Sequence, residues 1–289
     1  MSESKVLAVM GSGASGKTSL CCKLAERLAN KKQNVIVVFC DPFTPVIPYV
    51  LPADAPHHVS LGDLLTRPVI TQTDILAACV PLKDNDHISV LGYKAKESLL
   101  TFAEVLPTKA AELYSMLRPL ADYIIIDCTT AFEADVASIV ALKSADKILR
   151  LGAGNLNGVS YFQSHDIILR DSAYRPEEQL KAVSNVWTGQ EYEAVAQQYR
   201  GVGFILPHTA ELAYQYDELT LFEPLSGKDS ETYCDEVDNI LAAAFGLSVP
   251  APTKPLRGRQ KQEAAPTQSK GSKGGFKLGN PFSKRKGEF

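Results

Sequence analysis

The tightest constraint on the fold is an eight-residue stretch near the start of the chain, Gly11-Ser12-Gly13-Ala14-Ser15-Gly16-Lys17-Thr18, followed by Ser19, which satisfies GxxxxGK[ST]. The residue types answer a chemical need. Glycines let the backbone curl until its N–H groups converge on a phosphate, Lys17 brings positive charge to the β- and γ-phosphates, and the Thr18 hydroxyl is a ligand for Mg2+. A helix starting at Lys17 directs its N-terminal partial charge at the same anion. A glycine-rich turn with an exposed lysine is the plain alternative. The context favours phosphate binding, because the motif sits between a short apolar run, Lys5–Met10, and a segment, Lys17–Lys32, with Leu20, Leu24 and Leu28 at helical spacing.

The same alternation continues along the chain. Asn34–Cys40 (NVIVVFC) is a near-continuous β-branched and aromatic run, as expected of a strand buried on both faces, and it ends at Asp41-Pro42. Ala110–Leu120 reads as a helix, Asp122–Asp127 as another buried strand ending in an acid, Glu133–Ala145 as a helix and Lys147–Leu151 as a strand. Ala182–Trp187 and Gly203–Leu206 are further strands around the helical Glu191–Tyr199, and Lys228–Phe245 is a closing helix. His87–Gly92 has strand character without an assigned neighbour. Residues 42–75 hold five prolines before Leu61 and read as a long loop with a short helix at Leu61–Leu65. This pattern predicts an α/β fold: a doubly wound, mostly parallel sheet flanked by helices.

Charge divides the chain. Residues 250–289 hold ten of the 30 basic and two of the 33 acidic residues, a balance of +8 against −11 for the rest. This segment also carries five Pro and six Gly with isolated apolar residues, too little to offset chain entropy, so two parts are expected: a domain over 1–247 and a basic, disordered tail over 248–289. No apolar run approaches the ~20 residues of a membrane-spanning helix. Met1–Lys5 is polar and unlike a signal peptide, so a cytoplasmic protein is expected. The six cysteines show no CxxC spacing and the five histidines no HxxxH, so reduced, packed thiols are expected rather than a metal or disulfide framework.

Two further acids stand where chemistry would need them. Asp127, after Tyr123-Ile-Ile-Ile126, resembles a Walker B carboxylate that reaches Mg2+ directly or through water; a strand-end turn is its ordinary alternative. Asp41 would emerge at the same carboxyl edge, placed to orient water or Mg2+ near the γ-phosphate, and turn formation before Pro42 competes closely with that role. Glu133 and Asp135 suit a helix dipole more than water positioning. His57 and His58, in the Pro-rich loop, and His165, on an expected helix, suit the surface or a satisfied contact more than a ligand role, Cys128 suits packing, and Asn155 and Asn157 suit turns more than base contacts.

Taken together, GSGASGKTSL, NVIVVFCDPFTP and ADYIIIDCTT, with Val202–His208 leading into Glu211–Asp217, resemble the ParA/MinD family of P-loop ATPases over roughly residues 4–246. The resemblance implies a parallel sheet flanked by helices, binding of ATP with Mg2+, face-to-face homodimerisation over the nucleotide, and release of a surface or partner after hydrolysis. It places Val202–His208 near the base. Two departures matter. The family's signature lysine, which reaches the partner's nucleotide, corresponds to Ser12, with Ala14 at the motif's second glycine, and the first acid of its switch I corresponds to Phe39. Losing a cation and a carboxylate weakens transition-state stabilisation, so slow turnover or binding alone is expected. Such departures are similar to the TadZ/CpaE pilus-localisation branch and to ATPases of conjugative elements. Lys17 and Asp41 are the expected catalytic residues, Gly11 to Ser19 the nucleotide cradle, and Thr18 and Asp127 the metal ligands. The tail's Phe276–Lys286 mixes cations with apolar residues, as would suit DNA phosphates, an anionic membrane surface or an acidic protein. A pseudo-ATPase scaffold and a P-loop small-molecule kinase are the alternatives, the latter disfavoured by the lack of an Arg-rich lid.

Overall fold

The computed structural model describes residues 5–52, 55 and 57–248. The basic segment expected to be disordered lies outside the described residues, apart from Ser248.

Eight strands form one sheet: β1 (Lys5–Gly11), β2 (Val35–Phe39), β3 (Val80–Leu82), β4 (Asn85–Gly92), β5 (Tyr123–Asp127), β6 (Lys147–Ala153), β7 (Gln179–Val186) and β8 (Phe204–Pro207). Their order is β3-β4-β2-β5-β1-β6-β7-β8. Every neighbouring pair is parallel except β3 with β4, a hairpin that closes one edge. His87–Gly92 thus finds its place beside β2, with Val35 opposite Ile88.

The unbroken apolar runs have the expected cause. Along β1, Leu7 and Val9 enter one core while Val6, Ala8 and Met10 enter the other, and β2 divides Val35, Val37 and Phe39 from Ile36 and Val38 in the same way. Helices α1 (Lys17–Ala29) and α10 (Glu231–Phe245) cover the first face. On the second lie α3 (Leu61–Leu65), α4 (Gln72–Ala78), α5 (Pro107–Leu117) and α6 (Val136–Ser144), α2 (Ile47–Val50) being a single turn between β2 and α3. Beyond them, α7 (Leu156–Leu169) and α8 (Glu193–Tyr199) pack on β7 through Phe162, Tyr199, Val183 and Val186, and α9 (Ala210–Asp217) follows β8. At the far end of α10, Gly246 takes the left-handed conformation (φ 69°) that ends the helix.

Several expectations need correction. Residues 42–75 are not one loop around a single helix: α2 lies before α3, and α4 begins at Gln72 under a Thr71–Asp74 capping box. The helix expected over 133–145 is split into a 3-10 turn, Phe132–Ala134, and α6, because Asp135 caps α6 by accepting from Ser138 N–H at 2.8 Å.

Candidate functional site

Gly11 ends β1 and the next five residues form the loop that enters α1. Each glycine serves a different need. Gly11 lies opposite Leu151 of β6, where a Cβ would stand 1.8 Å from the Leu151 carbonyl oxygen. Gly16 is left-handed (φ 75°) at the helix N-cap. Gly13 meets nothing within 4 Å, and Ala14 accepts φ 56° although it bears a Cβ. No side chain caps α1 and no acid lies in its first turn, so its leading N–H groups remain available to an anion.

Lys17 Nζ donates to Thr130 Oγ1 at 2.8 Å and to the carbonyls of Gly11 (3.2 Å) and Ser12 (3.3 Å). Burial lowers its pKa against the opposing pull of the Asp127 and Asp41 carboxylates. The Thr18 hydroxyl donates to Asp127 Oδ2 at 2.6 Å, a contact that the parallel pairing of β1 with β5 makes possible. Asp127 is buried at 4% exposure, its Oδ1 has no protein partner, and burial pushes its carboxyl up to about 6 in spite of Lys17 and Thr18. A buried, half-satisfied carboxylate beside a threonine hydroxyl, at a glycine loop and an uncapped helix N-terminus, is a donor set that fits Mg2+, which takes one or two protein oxygens and completes its shell with other ligands such as water. Among the described residues no cluster of three His, Cys, Asp or Glu offers an all-protein alternative.

The remaining sequence candidates separate. Asp41 lies just beyond β2, and its Oδ1 accepts from Phe43 N–H (2.8 Å) and Thr44 N–H (3.0 Å), so the carboxylate builds its own turn while sharing the electrostatic field of Lys17. Phe39 is 1% exposed and packs in the core opposite Asp127, out of reach of any substrate. Asn155 caps α7 through Gly158 N–H (3.1 Å), Asn157 is exposed in that helix's first turn, and Cys128 is buried. His165 pairs with Glu133, while His57 shares the electrostatic field of Lys94, Glu97 and Asp63 and the His58 carbonyl accepts from Lys94 Nζ at 3.2 Å.

Ser12 is 2% exposed, and its hydroxyl accepts from Ala153 N–H at 3.1 Å, which turns this side chain into the sheet rather than outward. Ser15 bonds the Ser12 carbonyl at 2.7 Å, and Ser184 of β7 bonds the Ser15 carbonyl at 2.6 Å, so three serines strap the loop to β6 and β7. Ser12→Ala leaves the buried Ala153 N–H without its acceptor, an expected loss of roughly 1–3 kcal/mol. The check is a lower urea midpoint at unchanged slope.

From the cradle a cleft of about 520 Å3 runs past Ser184 and Asn185 to Pro207, His208 and the α9 residues Leu212, Ala213 and Tyr216. That volume suits a nucleotide-sized ligand. Glu211 fixes the far wall by accepting from the Ser226 and Gly227 N–H groups and the Ser226 and Ser230 hydroxyls, which pull its carboxyl down to about 2. Sequence reasoning reached Pro207 and His208 through the late segment but missed Thr130, Ser184 and Asn185. These are single polar residues just after or within strands, and only the sheet order brings them to the loop.

Comparison with protein-family models and with curated proteins finds no match. Solved structures do match. The septum site-determining protein MinD of Pyrococcus horikoshii, complexed with Mg-ADP, has a TM-score of 0.64 at 17% identity, covering 82% of this chain and 96% of that one. A ParA family ATPase from Chlorobium tepidum gives 0.67 at 13% identity over 81% and 97%. A putative plasmid partition protein from Borrelia burgdorferi bound to AMPPNP gives 0.61 at 16% identity over 83% and 98%. The likeness establishes the fold, a mostly parallel eight-stranded sheet flanked by helices, as that of the MinD/ParA P-loop ATPases.

Proposed function

We propose that this chain binds Mg-ATP and hydrolyses it slowly, as a ParA/MinD-like switch whose nucleotide state controls homodimerisation. The observation that carries the reading is the contact of Thr18 with a buried, half-satisfied Asp127 at the mouth of an uncapped helix and a nucleotide-sized cleft. The loop amides and Lys17 would hold the β- and γ-phosphates, with Lys17 exchanging Thr130 and two carbonyls for phosphate oxygens. Thr18 and Asp127 would hold Mg2+, which when bound neutralises charge on the phosphates. Asp41, set at the same sheet edge, would orient water once its turn opens. Burial of Ser12 and Phe39 where the related motifs carry a cation and an acid supports weak turnover.

In this reading residues 1–247 form the ATPase domain. The basic tail, 248–289, contacts DNA, an anionic membrane surface or an acidic protein, so that a cytoplasmic switch positions DNA or a pilus, secretion or conjugation machine. The missing signature lysine and switch acid favour a branch similar to TadZ/CpaE. No helix among the described residues is long and apolar enough to cross a membrane. The inward-facing Ser12 hydroxyl favours one second reading, a pseudo-ATPase scaffold that binds ATP without turnover.

Phosphate release and sedimentation, measured against protein concentration with and without Mg-ATP, separate the two. The switch predicts an ATP-dependent dimer and a specific activity that rises with concentration, both lost in Lys17→Ala with at least a ~100-fold fall in turnover. ATP binding by an idle monomer establishes the scaffold instead, and absence of ATP binding removes both.

A further inference from the structure

A second cavity, of about 860 Å3, is larger than the phosphate cleft and shares no lining residue with it. It opens between the second half of α1, the end of α2, the β3–β4 hairpin and the segment that follows α9. Helix α9 stands between the two spaces: Ala213 and Tyr216 line the cleft, whereas Glu218 and Leu219, just past the helix, line the cavity. Along α1, Glu26 lies about 14 Å from Lys17 and its phosphate loop.

Glu26 is the unexplained group in this cavity. It lines the space although it is only 3% exposed. Its Oε1 accepts from the Asn30 side-chain amide at the end of α1, and its Oε2 accepts no hydrogen bond from any described residue. The two cations that act on it are committed elsewhere. Lys23 Nζ donates to Gln215 Oε1 and to the Glu223 carbonyl, and Arg27 makes a two-point pair with Asp238. Both reach Glu26 only through their field, and burial still pushes its carboxyl above the ordinary range.

The surroundings limit what can satisfy that oxygen. Leu51, Leu82 and Phe222 give the cavity apolar walls that continue into the core under α1 and α10. The exposed rim is acidic: Asp84, Glu218 and Glu223 face a single cation, Lys83, and none of these four side chains is in an ion pair among the described residues. An anionic ligand is repelled by this set, and a neutral apolar one leaves the Glu26 oxygen unpaired. A cation with an apolar body meets both demands. Enclosure by four chain segments at this volume suits one small molecule rather than a macromolecular surface.

We infer that the cavity is a second ligand site, for a small amphiphilic amine whose ammonium group donates to Glu26 Oε2 while its apolar body lies on Leu51, Leu82 and Phe222. The assignment does not depend on what the phosphate cleft binds.

The probes are 4-phenylbutylamine and 4-phenylbutanol, alike in shape and different in charge. Each is titrated into the full-length protein, with affinity read by calorimetry and location by leucine methyl resonances. A charge-assisted hydrogen bond in this enclosed space predicts about tenfold or more tighter binding of the amine. The Leu51 and Leu82 methyl signals move, while that of Leu212 in the phosphate cleft stays. In Glu26→Gln the amine falls to the affinity of the alcohol, and the alcohol keeps its own, which also shows that the cavity is still folded. The combined rim variant Asp84→Asn with Glu218→Gln, both exposed, lowers amine affinity about two- to fivefold and leaves the alcohol unchanged. Equal affinities of the two probes, binding of neither, or shifts at Leu212 in place of Leu51 and Leu82 overturn the site. So does a preference for the amine that survives both Glu26→Gln and the rim variant.

Discussion

Gly11→Ala is expected to lower stability by about 3 kcal/mol or more and to abolish nucleotide binding, whereas Gly13→Ala two residues away is expected to be near neutral for stability. The added methyl at Gly11 would stand 1.8 Å from the Leu151 carbonyl oxygen and 2.7 Å from its carbon. Both are backbone atoms of a central strand, so no rotamer change relieves the clash, and β1 and β6 must separate where Gly11 and Leu151 are in register. Separation would also break the Ser12 bonds to Leu151 and Ala153 that shape the loop. At Gly13 the methyl meets open space. Gly16→Ala falls between, at roughly 1–2 kcal/mol, since only its left-handed backbone is compromised. Thermal unfolding checks the series, with a drop of the order of 10 °C for Gly11→Ala. Equal effects at Gly11 and Gly13 would show that the loop, not the strand pairing, sets the demand for glycine.

That contrast shows how far the sequence can be read. The motif announced that glycine is needed between Gly11 and Gly16, but its reasons lie in a strand 140 residues away and in a backbone angle. Strands β1, β2, β5 and β6 were legible because burial on both faces leaves continuous apolar runs. Helix α7 was legible only at His165. Its Leu156 and Ile167 face solvent while Phe162 and Leu169 are buried, which leaves no single apolar stripe. Prolines hid α2 and α4, although Pro48 sits in the first turn of α2, where a proline is tolerated. Asp127 was recognisable as the acid ending an apolar strand, and its contact with Thr18 follows from the adjacency of β1 and β5. Thr130, Ser184 and Asn185 carry no local signal, because their roles arise where separate strands end side by side.

Asp127→Asn is expected to make the ligand-free protein more stable at pH 7.5 while removing most of the stabilisation that Mg-ATP confers. Burial raises the Asp127 carboxyl from 3.8 to about 6, so between those values the folded state binds more protons than the unfolded state. Stability therefore falls as pH rises through that window, and above pH 6 the ionised, half-satisfied carboxylate imposes its full cost. An asparagine keeps an oxygen to accept the Thr18 hydroxyl and carries no charge to desolvate. The shift, already net of the attraction to Lys17, corresponds to about 3 kcal/mol. The buried amide NH2 that replaces the unpartnered Oδ1 takes back part of it, leaving a gain of about 1–2 kcal/mol. The gain should vanish towards pH 4, where wild-type Asp127 is protonated. Ligand acts in the opposite direction. A ligand at a hundred times its Kd adds about 2.7 kcal/mol, and a variant that cannot hold Mg2+ forgoes much of that. Wild type and variant should thus exchange rank in Tm when Mg-ATP is added at pH 7.5. If Asp127→Asn instead lowers the ligand-free Tm at that pH, the carboxylate is a structural partner of Lys17 and Thr18, and the assignment of a metal site to it fails.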